Sequence, residues 1–439
     1  MCRLRRCLRL VQKRNQYAMP VMSIMTQSPP FLINRAASMS SLMDDAFKGL
    51  LVVEFAQGVA APYCGLLLSR NGADVIKVEP QGNGDWCRSL GLRKGDFSAE
   101  SIVLNRGKKS LALDMKSPDG RAAAFKLAAK ADVIIENYRP NVTKRLGIDY
   151  GAVAAVNPNV VYASVTGFGA TGPKSHMPAT DTVMQGYTGL MNINRDDNGL
   201  PRRINMLAID YSTGLYLSQA VFAALYRRAT TGRGSHVQTS LLESAMAFQE
   251  ARLVAEKFEG SAVQPVGAPV GTFATEDGYL SLNARRDAHF AALCAHLGTT
   301  QWLDDDRFNS AENRLINAGE MNRLVAPHIQ KKPTAHWVKI LSESDILNAP
   351  VHDYNDLFND AQIAETEAIG WVEIDEFGHL PAARIAGLAP ASASDQAAMV
   401  PPRLGEGGRD GLIKAGFSRY EINQLATSGA AIFNEAEDR

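Results

Sequence analysis

Cysteine is scarce and scattered in this 439-residue chain, with five residues at positions 2, 7, 64, 87 and 294. That spacing builds neither a disulfide framework nor a CxxC pair, and it suits a reducing compartment. HExxH and GxSxG are absent as well, which removes two common hydrolase signatures. The eight histidines are dispersed. His289 and His296, seven residues apart, read as one face of a packed helix, so no metal site is expected. No apolar run approaches the roughly 18 residues of a bilayer span, so no membrane association is expected. Charge of one sign is also missing. Forty-six basic residues balance forty-six acidic ones, which leaves no overall field to recruit nucleic acid. Composition is otherwise globular, and disorder throughout is excluded.

The neutrality joins two unlike parts. Residues 1–43 hold Arg3, Arg5, Arg6, Arg9, Lys13, Arg14 and Arg35 and no acid, so by subtraction residues 44–439 carry a net charge of −7. An acid-free, Arg- and Ser-bearing leader has the composition of a mitochondrial transit peptide; a dispensable tail or upstream start is the other reading. The expected location is cytoplasmic, or the mitochondrial matrix if the leader is a transit peptide.

Beyond the leader, elements alternate. Gly49–Phe55 is a β-branched run, Pro62–Leu68 a helix stopped at Asn71-Gly72, and Ala73–Val78 a second strand. The pattern repeats at Ser110–Asp114, Ser117–Lys130, Asp132–Glu136 and Val160–Val165, with Pro118 suited to a first helical turn. It predicts an α/β fold with an open parallel sheet of the doubly wound, Rossmann-like kind. A long helix over Ser212–Arg228, a strand at His236–Leu241 and a helix over Glu243–Phe258 follow. Glu276-Asp277-Gly278 then marks a hairpin. The expected organisation is a basic extension (1–43), the N-terminal part of a large α/β domain (44–230), a linker (231–265), a smaller α+β domain (266–345), and a return linker with the rest of the large domain (346–439). Pro390–Ser394 reads as a surface linker, and Ser418–Ala426 as a terminal helix.

Three features could carry chemistry. Gly167–Gly172 spells GxGxxG after a strand, but Pro173 follows where a dinucleotide fingerprint would open a helix. What remains is a loop whose amides can approach a ligand closely. Asp181, just after it and ahead of an apolar segment, reads in isolation as a helix cap. Arg106, Lys108, Arg139 and Lys144 lie near strand ends, where cations suit a phosphate-bearing ligand. Solvated surface charge is the plainer reading.

Each signal is weak alone, but their order is specific. Gly72–Pro80, Leu104–Ser110, Glu136–Pro140, Thr166–Gly169 through Gly172-Pro173 to Asp181 and Gln185, then Gly189–Met191, Asp210, Thr231–Gly234 and Leu404–Glu406 together resemble the class III CoA-transferases. This is the CaiB/BaiF family that includes formyl-CoA transferase. The resemblance runs from Gly49 to about Gly429. It implies a Rossmann-like large domain, a smaller domain and an interlocked homodimer, with Asp181 as nucleophile. The substrates it implies are an acyl-CoA and a free carboxylic acid, in some members a dicarboxylate. Coenzyme A enters as substrate, and no permanent cofactor is expected. A carboxylate attacking a thioester gives a mixed anhydride and free thiolate, and amides of a Gly-rich segment suit the oxyanions.

By the same resemblance Arg106, Lys108, Asn137, Arg139 and Lys144 become candidates for binding CoA, the cations for its phosphates. Gln57, Gly58, Val59 and Gln185 become candidates for the substrate pocket. Val59 replaces the polar residue of formyl-CoA transferase, which argues against the same oxalate specificity. Thr180 stands where relatives carry an aromatic, and Asn205 where many have glycine; both bear on the acceptor. An α-methylacyl-CoA racemase or isomerase on the same fold is the main rival. Such racemases read Gly-His-Asp where this chain reads Ala179-Thr180-Asp181, and His176 is out of register. Intramolecular CoA transfer within a dicarboxylic acid is a closer rival. A silent CoA-binding protein and a nicotinamide oxidoreductase complete the alternatives.

Overall fold

The computed structural model describes residues 45–196, 198–260, 265–389 and 399–434. The basic leader and the Pro390–Ser394 stretch lie outside the described residues. Six strands, β1 (Leu51–Phe55), β2 (Asp74–Glu79), β3 (Lys109–Leu113), β4 (Val133–Glu136), β5 (Val161–Thr166) and β6 (Ser235–Ser240), pair in parallel. Their spatial order is β3-β2-β1-β4-β5-β6, and the order reverses between β1 and β4. In such sheets a crevice opens at the C-terminal ends of the strands flanking the reversal.

Strands β1–β5 are buried on both faces, so alternate residues feed two separate cores, whereas β6 at the edge is only partly covered. Val52, Val75, Val133 and Ile135 pack with helices α1 (Ala60–Arg70) and α8 (Ala208–Thr231). Val53, Phe55, Ile76, Val78 and Ile134 pack on the other face with helix α3 (Pro118–Lys130) and residues 412–431 of the tail. Helix α3 starts where expected, with Ser117 as side-chain cap and Pro118 in the first turn. The tail returns to the sheet as well. A two-residue strand, Ala431–Ile432, pairs antiparallel with β3 and makes the sheet mixed. The described residues belong to one compact unit, although residues 268–346 hold a hydrophobic core of their own. The predicted hairpin pairs Ala274 with Tyr279, and its three-stranded sheet ends only at Pro350. The stretch read as a linker carries β6 and two helices, Leu241–Phe248 and Glu250–Phe258, interrupted at Gln249 where one helix was expected.

Contact between α1 and α8 is closest at Gly214. A Cβ there would stand 2.6 Å from the Ala60 carbonyl oxygen and 2.9 Å from Tyr63 Cβ. Backbone on one side leaves no flexible atom to yield. Gly214→Ala is therefore expected to cost about 1–3 kcal/mol, read as a lower urea midpoint. An unchanged midpoint would show that the two helices have room to part.

Candidate active site

The short helix α6 (Asp181–Tyr187) begins only after the glycine loop, so the GxGxxG segment opens no helix of its own. Thr180 is the N-cap of α6, without a side-chain cap bond, and Asp181 is its first residue. Asp181 does not cap its own helix. Its Oδ2 accepts hydrogen bonds from the amides of Ile209 (2.7 Å) and Asp210 (3.2 Å), in the first turn of α8. The N-cap of α8, Leu207, offers no side-chain acceptor, so the carboxylate of Asp181 takes that place. Free amides and the helix dipole both favour an anion there.

Gln185, one helical turn on, completes the arrangement. Its Nε2 donates to Asp181 Oδ1 at 2.6 Å, and its Oε1 accepts from the Ile204 amide at 2.8 Å. The same side chain thus orients the carboxylate and fixes the segment leading into α8. Asp181 is 2% exposed. Its chain neighbour Thr180 and its hydrogen-bond partner Asp210 both line a cavity of about 480 Å³.

That cavity occupies the crevice at the sheet reversal. Gln57 and Val59 enter from the loop after β1, Trp86 from the loop after β2, Asn137 and Arg139 from the loop after β4, and Thr166 and Gly167 from the end of β5. Gln57 and Asn137 are clamped across the reversal. The Gln57 amide donates to Asn137 Oδ1 at 3.0 Å, and Asn137 Nδ2 donates to the Gln57 carbonyl at 2.6 Å. Gly58, at φ +81°, donates its amide to Asp85 Oδ1 at 2.8 Å. A Cβ there would come within 2.2 Å of the Trp86 ring. Glycine is required at that turn.

Asp85 belongs to a buried ion network beneath this wall. Lys77 Nζ lies 2.7 Å from Glu54 and 2.8 Å from Asp85, and Lys108 Nζ lies 2.7 Å from the other oxygen of Glu54. Arg88 grips Glu79 through two 2.7 Å bonds. Burial opposes the charge on Lys77, but Asp85 and Glu54 hold its proton well above the usual lysine range.

Of the residues singled out from sequence, Gln57, Val59, Asn137 and Arg139 line the cavity. Gly58 is tied to its wall, and Asp181 and Gln185 lie together beneath it. Lys108 is a correction. Its ammonium is sealed inside, bonded to Glu54 and to the Pro62 carbonyl, and is not presented to a phosphate. Arg106 is 5% exposed and faces a different cavity of about 850 Å³, beside Arg70. Lys144 is exposed on the helix Val142–Leu146 and does not line the 480 Å³ cavity.

Sequence reasoning missed Glu54, Lys77 and Asp85, although Glu54 as the one charge in an apolar, β-branched strand is a signal. It also gave Asp210 no role. Burial raises the Asp210 carboxyl to about 7, with further contributions from Asp181 and Glu100.

A buried carboxylate seated on helix amides beside a switch-point crevice can serve as a nucleophile. Comparison with known proteins makes this specific. CoA-transferase family III matches residues 47–407. Acetyl-CoA:oxalate CoA-transferase of Acetobacter aceti is 33% identical over 325 residues, covering 72% of this chain and 84% of that protein. Succinyl-CoA:glutarate CoA-transferase of Mus musculus is 32% identical, covering 72% and 74%. A solved CaiB/BaiF family protein from Brucella suis superposes with a TM-score of 0.73 at 29% identity, over 84% of this chain and 98% of that one. The chain belongs to CoA-transferase family III, and it is an enzyme that transfers CoA from an acyl-CoA to a carboxylic acid.

Two outcomes follow from the buried charges. Lys77→Met strands Asp85 and half of Glu54 without a counter-ion, so a loss of about 3–5 kcal/mol is expected in denaturant unfolding. A loss under about 1 kcal/mol would show the network relaxing around the gap. The folded state holds the Asp210 proton more tightly than the unfolded chain does, where the carboxyl sits near 3.8. That contribution is complete below the unfolded value and is lost as pH rises through about 7. Asp210→Asn cannot ionise, so its stability should gain on wild type as pH rises from acid to alkaline, by up to about 4 kcal/mol, read in the melting temperature. A melting difference that stays constant with pH would refute the assignment.

Proposed function

We propose that this enzyme passes CoA from a short acyl-CoA to a small dicarboxylic acid through covalent intermediates on Asp181. The observation that carries the reading is the seat of its carboxylate on the first turn of α8, between Thr180 and Asp210, which line the switch-point cavity. The relatives named for oxalate and glutarate support the acceptor class.

The two oxygens of Asp181 take different parts. Oδ1, held by Gln185 alone, attacks the thioester carbonyl; a C–O bond forms, the C–S bond breaks, and CoA leaves as thiolate. The thiolate then attacks the Asp181 carbonyl of the mixed anhydride, releasing the donor acid and leaving an aspartyl-CoA thioester. Charge develops on Oδ2 in that step, where the amides of Ile209 and Asp210 already point. Attack by the acceptor carboxylate reverses the sequence and returns the new thioester. Overall one thioester is exchanged for another, so the balance requires no ATP.

Arg139, exposed at the cavity rim, and Lys144 are the proposed contacts for the phosphates of CoA. Arg106 is a further candidate, since its Nε has no hydrogen-bond partner and Arg70 is the charge beside it. The proposed assembly is a homodimer. Among the described residues no histidine lines the cavity, so the histidine of the racemases' acid/base pair has no counterpart in it.

Asp181→Ala should lower transfer at least about 1,000-fold while CoA affinity stays within a few-fold. The check is mass spectrometry of thioesters formed from succinyl-CoA or acetyl-CoA and a panel of free acids. Transfer persisting in the variant would remove Asp181 as nucleophile. Solvent deuterium entering the acyl α-carbon, with no new thioester, would favour the racemase.

A further inference from the structure

Negative charge develops at two places in the proposed cycle, and the amides of Ile209 and Asp210 face one of them, the aspartyl Oδ2. The acyl oxygen of the bound thioester requires a donor of its own. Asp210 is placed to be that donor. It is the third residue of α8 and 9% exposed, and it lines the cavity together with Val59 and Thr180. Its carboxyl has no hydrogen-bond partner among the described residues.

The surroundings determine its protonation. Asp181 already occupies the free amides at this helix end, so a second carboxylate there finds the site taken. Glu100, from the helix Ala99–Leu104, accepts a hydrogen bond from the Tyr211 hydroxyl at 2.8 Å and adds negative charge nearby. Tyr63 of α1 packs edge-on against Tyr211 and brings no cation. The one cationic side chain lining the cavity among the described residues is Arg139, exposed at its rim. Like charges crowded into a buried site lead one carboxyl to keep its proton.

We propose that Asp210 is a catalytic carboxylic acid: held neutral, it donates a hydrogen bond to the acyl oxygen of the thioester while Asp181 Oδ1 attacks. No proton changes hands. The donor strengthens its hydrogen bond as the oxyanion forms and relaxes when the tetrahedral intermediate collapses, so every bond and charge of the transfer balances without a further reagent. This rests on Asp181 being the nucleophile. The titration of Asp210 near neutrality, set by burial and then by Asp181 and Glu100, gives the mechanism an alkaline limit.

The test is the pH profile of kcat for thioester exchange between about pH 5.5 and 9, in wild type, Asp210→Asn, Asp210→Ala and Glu100→Gln. Melting temperature and CoA binding are measured on the same samples. Wild type should lose activity above pH about 7. Asp210→Asn retains an N–H donor and should lack that limb, whereas Asp210→Ala should be slower by about 100-fold or more at every pH. Glu100→Gln removes a neighbouring negative charge and should move the wild-type limb to lower pH. Should the Asp210 variants lose CoA binding, the Glu100→Gln shift decides alone. A shared alkaline limb in wild type and Asp210→Asn, an Asp210→Ala rate within about two-fold of wild type, or an unmoved limb in Glu100→Gln would overturn the proposal. Acylation of Asp181 in wild type, followed by intact-protein mass spectrometry, reads the nucleophile separately. Its absence overturns both assignments; its presence with an unmoved limb overturns that of Asp210 alone.

Discussion

The grip of two α8 amides on one oxygen of Asp181 is the constraint from which the rest of the site follows. It is a contact between elements 28 and 29 residues apart in sequence, so it holds only if the N-terminus of α8 is placed by something else. Two features do that. Close approach of α1 to α8 at Gly214 sets the helix against the sheet, and Gln185 ties Ile204 and Met206, just ahead of α8, back to α6. The anion in turn satisfies amides at a helix end that has no cap of its own. Packing of a long helix and orientation of a reactive side chain are here a single interaction.

Charge is distributed so that the interior is closed and the cavity is nearly without cations. Below the wall, Lys77, Lys108 and Arg88 are matched by Glu54, Glu79 and Asp85, and each is bonded inward. Burial lowers Lys108 more than Glu54 restores it, yet Glu54 remains shared between two ammonium groups. The network reaches the cavity through Asp85, which holds the Gly58 amide and the turn that carries Trp86. It acts on the cavity through geometry. A cation facing the reacting atoms would bind the substrate and Asp181 carboxylates as strongly as any transition state, whereas aligned amides and a neutral acid respond chiefly to charge as it forms.

Much of this was legible in the sequence, for a physical reason. Of the six parallel strands, β1, β2, β4 and β5 are rich in β-branched residues, and local pattern is enough to find them. The pairing of Asp181 with Gln185 is likewise a helical spacing. Asp181 as a cap was half right: the residue caps a helix, but one that begins 27 positions later at Ala208, and no local rule points across that distance. Lys108 and Lys109 are adjacent with the same charge, yet the pleat turns one inward to Glu54 and the other outward to Asp74. A cluster of cations in sequence therefore did not become a cluster in space. Glu54 could have been found, because it interrupts an otherwise apolar strand buried on both faces, and Lys77 lies between apolar residues of the neighbouring strand. In such a strand a charge must meet its opposite.

The inequivalence of the two Asp181 oxygens also bears on why the site tolerates repeated acylation. When Oδ1 becomes the bridging oxygen of an anhydride it is a poorer acceptor, and a donor committed to it alone would be left buried and unpaired. Gln185 Nε2 is not so committed, since the carbonyls of Met206 and Ile204 lie 3.1 and 3.3 Å away. Its hydrogen bond can weaken without being orphaned. Oδ2 meanwhile keeps its two amides in the carboxylate, anhydride and thioester forms alike. In the proposed cycle the protein need not rearrange between intermediates, because the atom that changes partners is the one held by a side chain with alternatives, and the atom that gains charge is the one held by backbone.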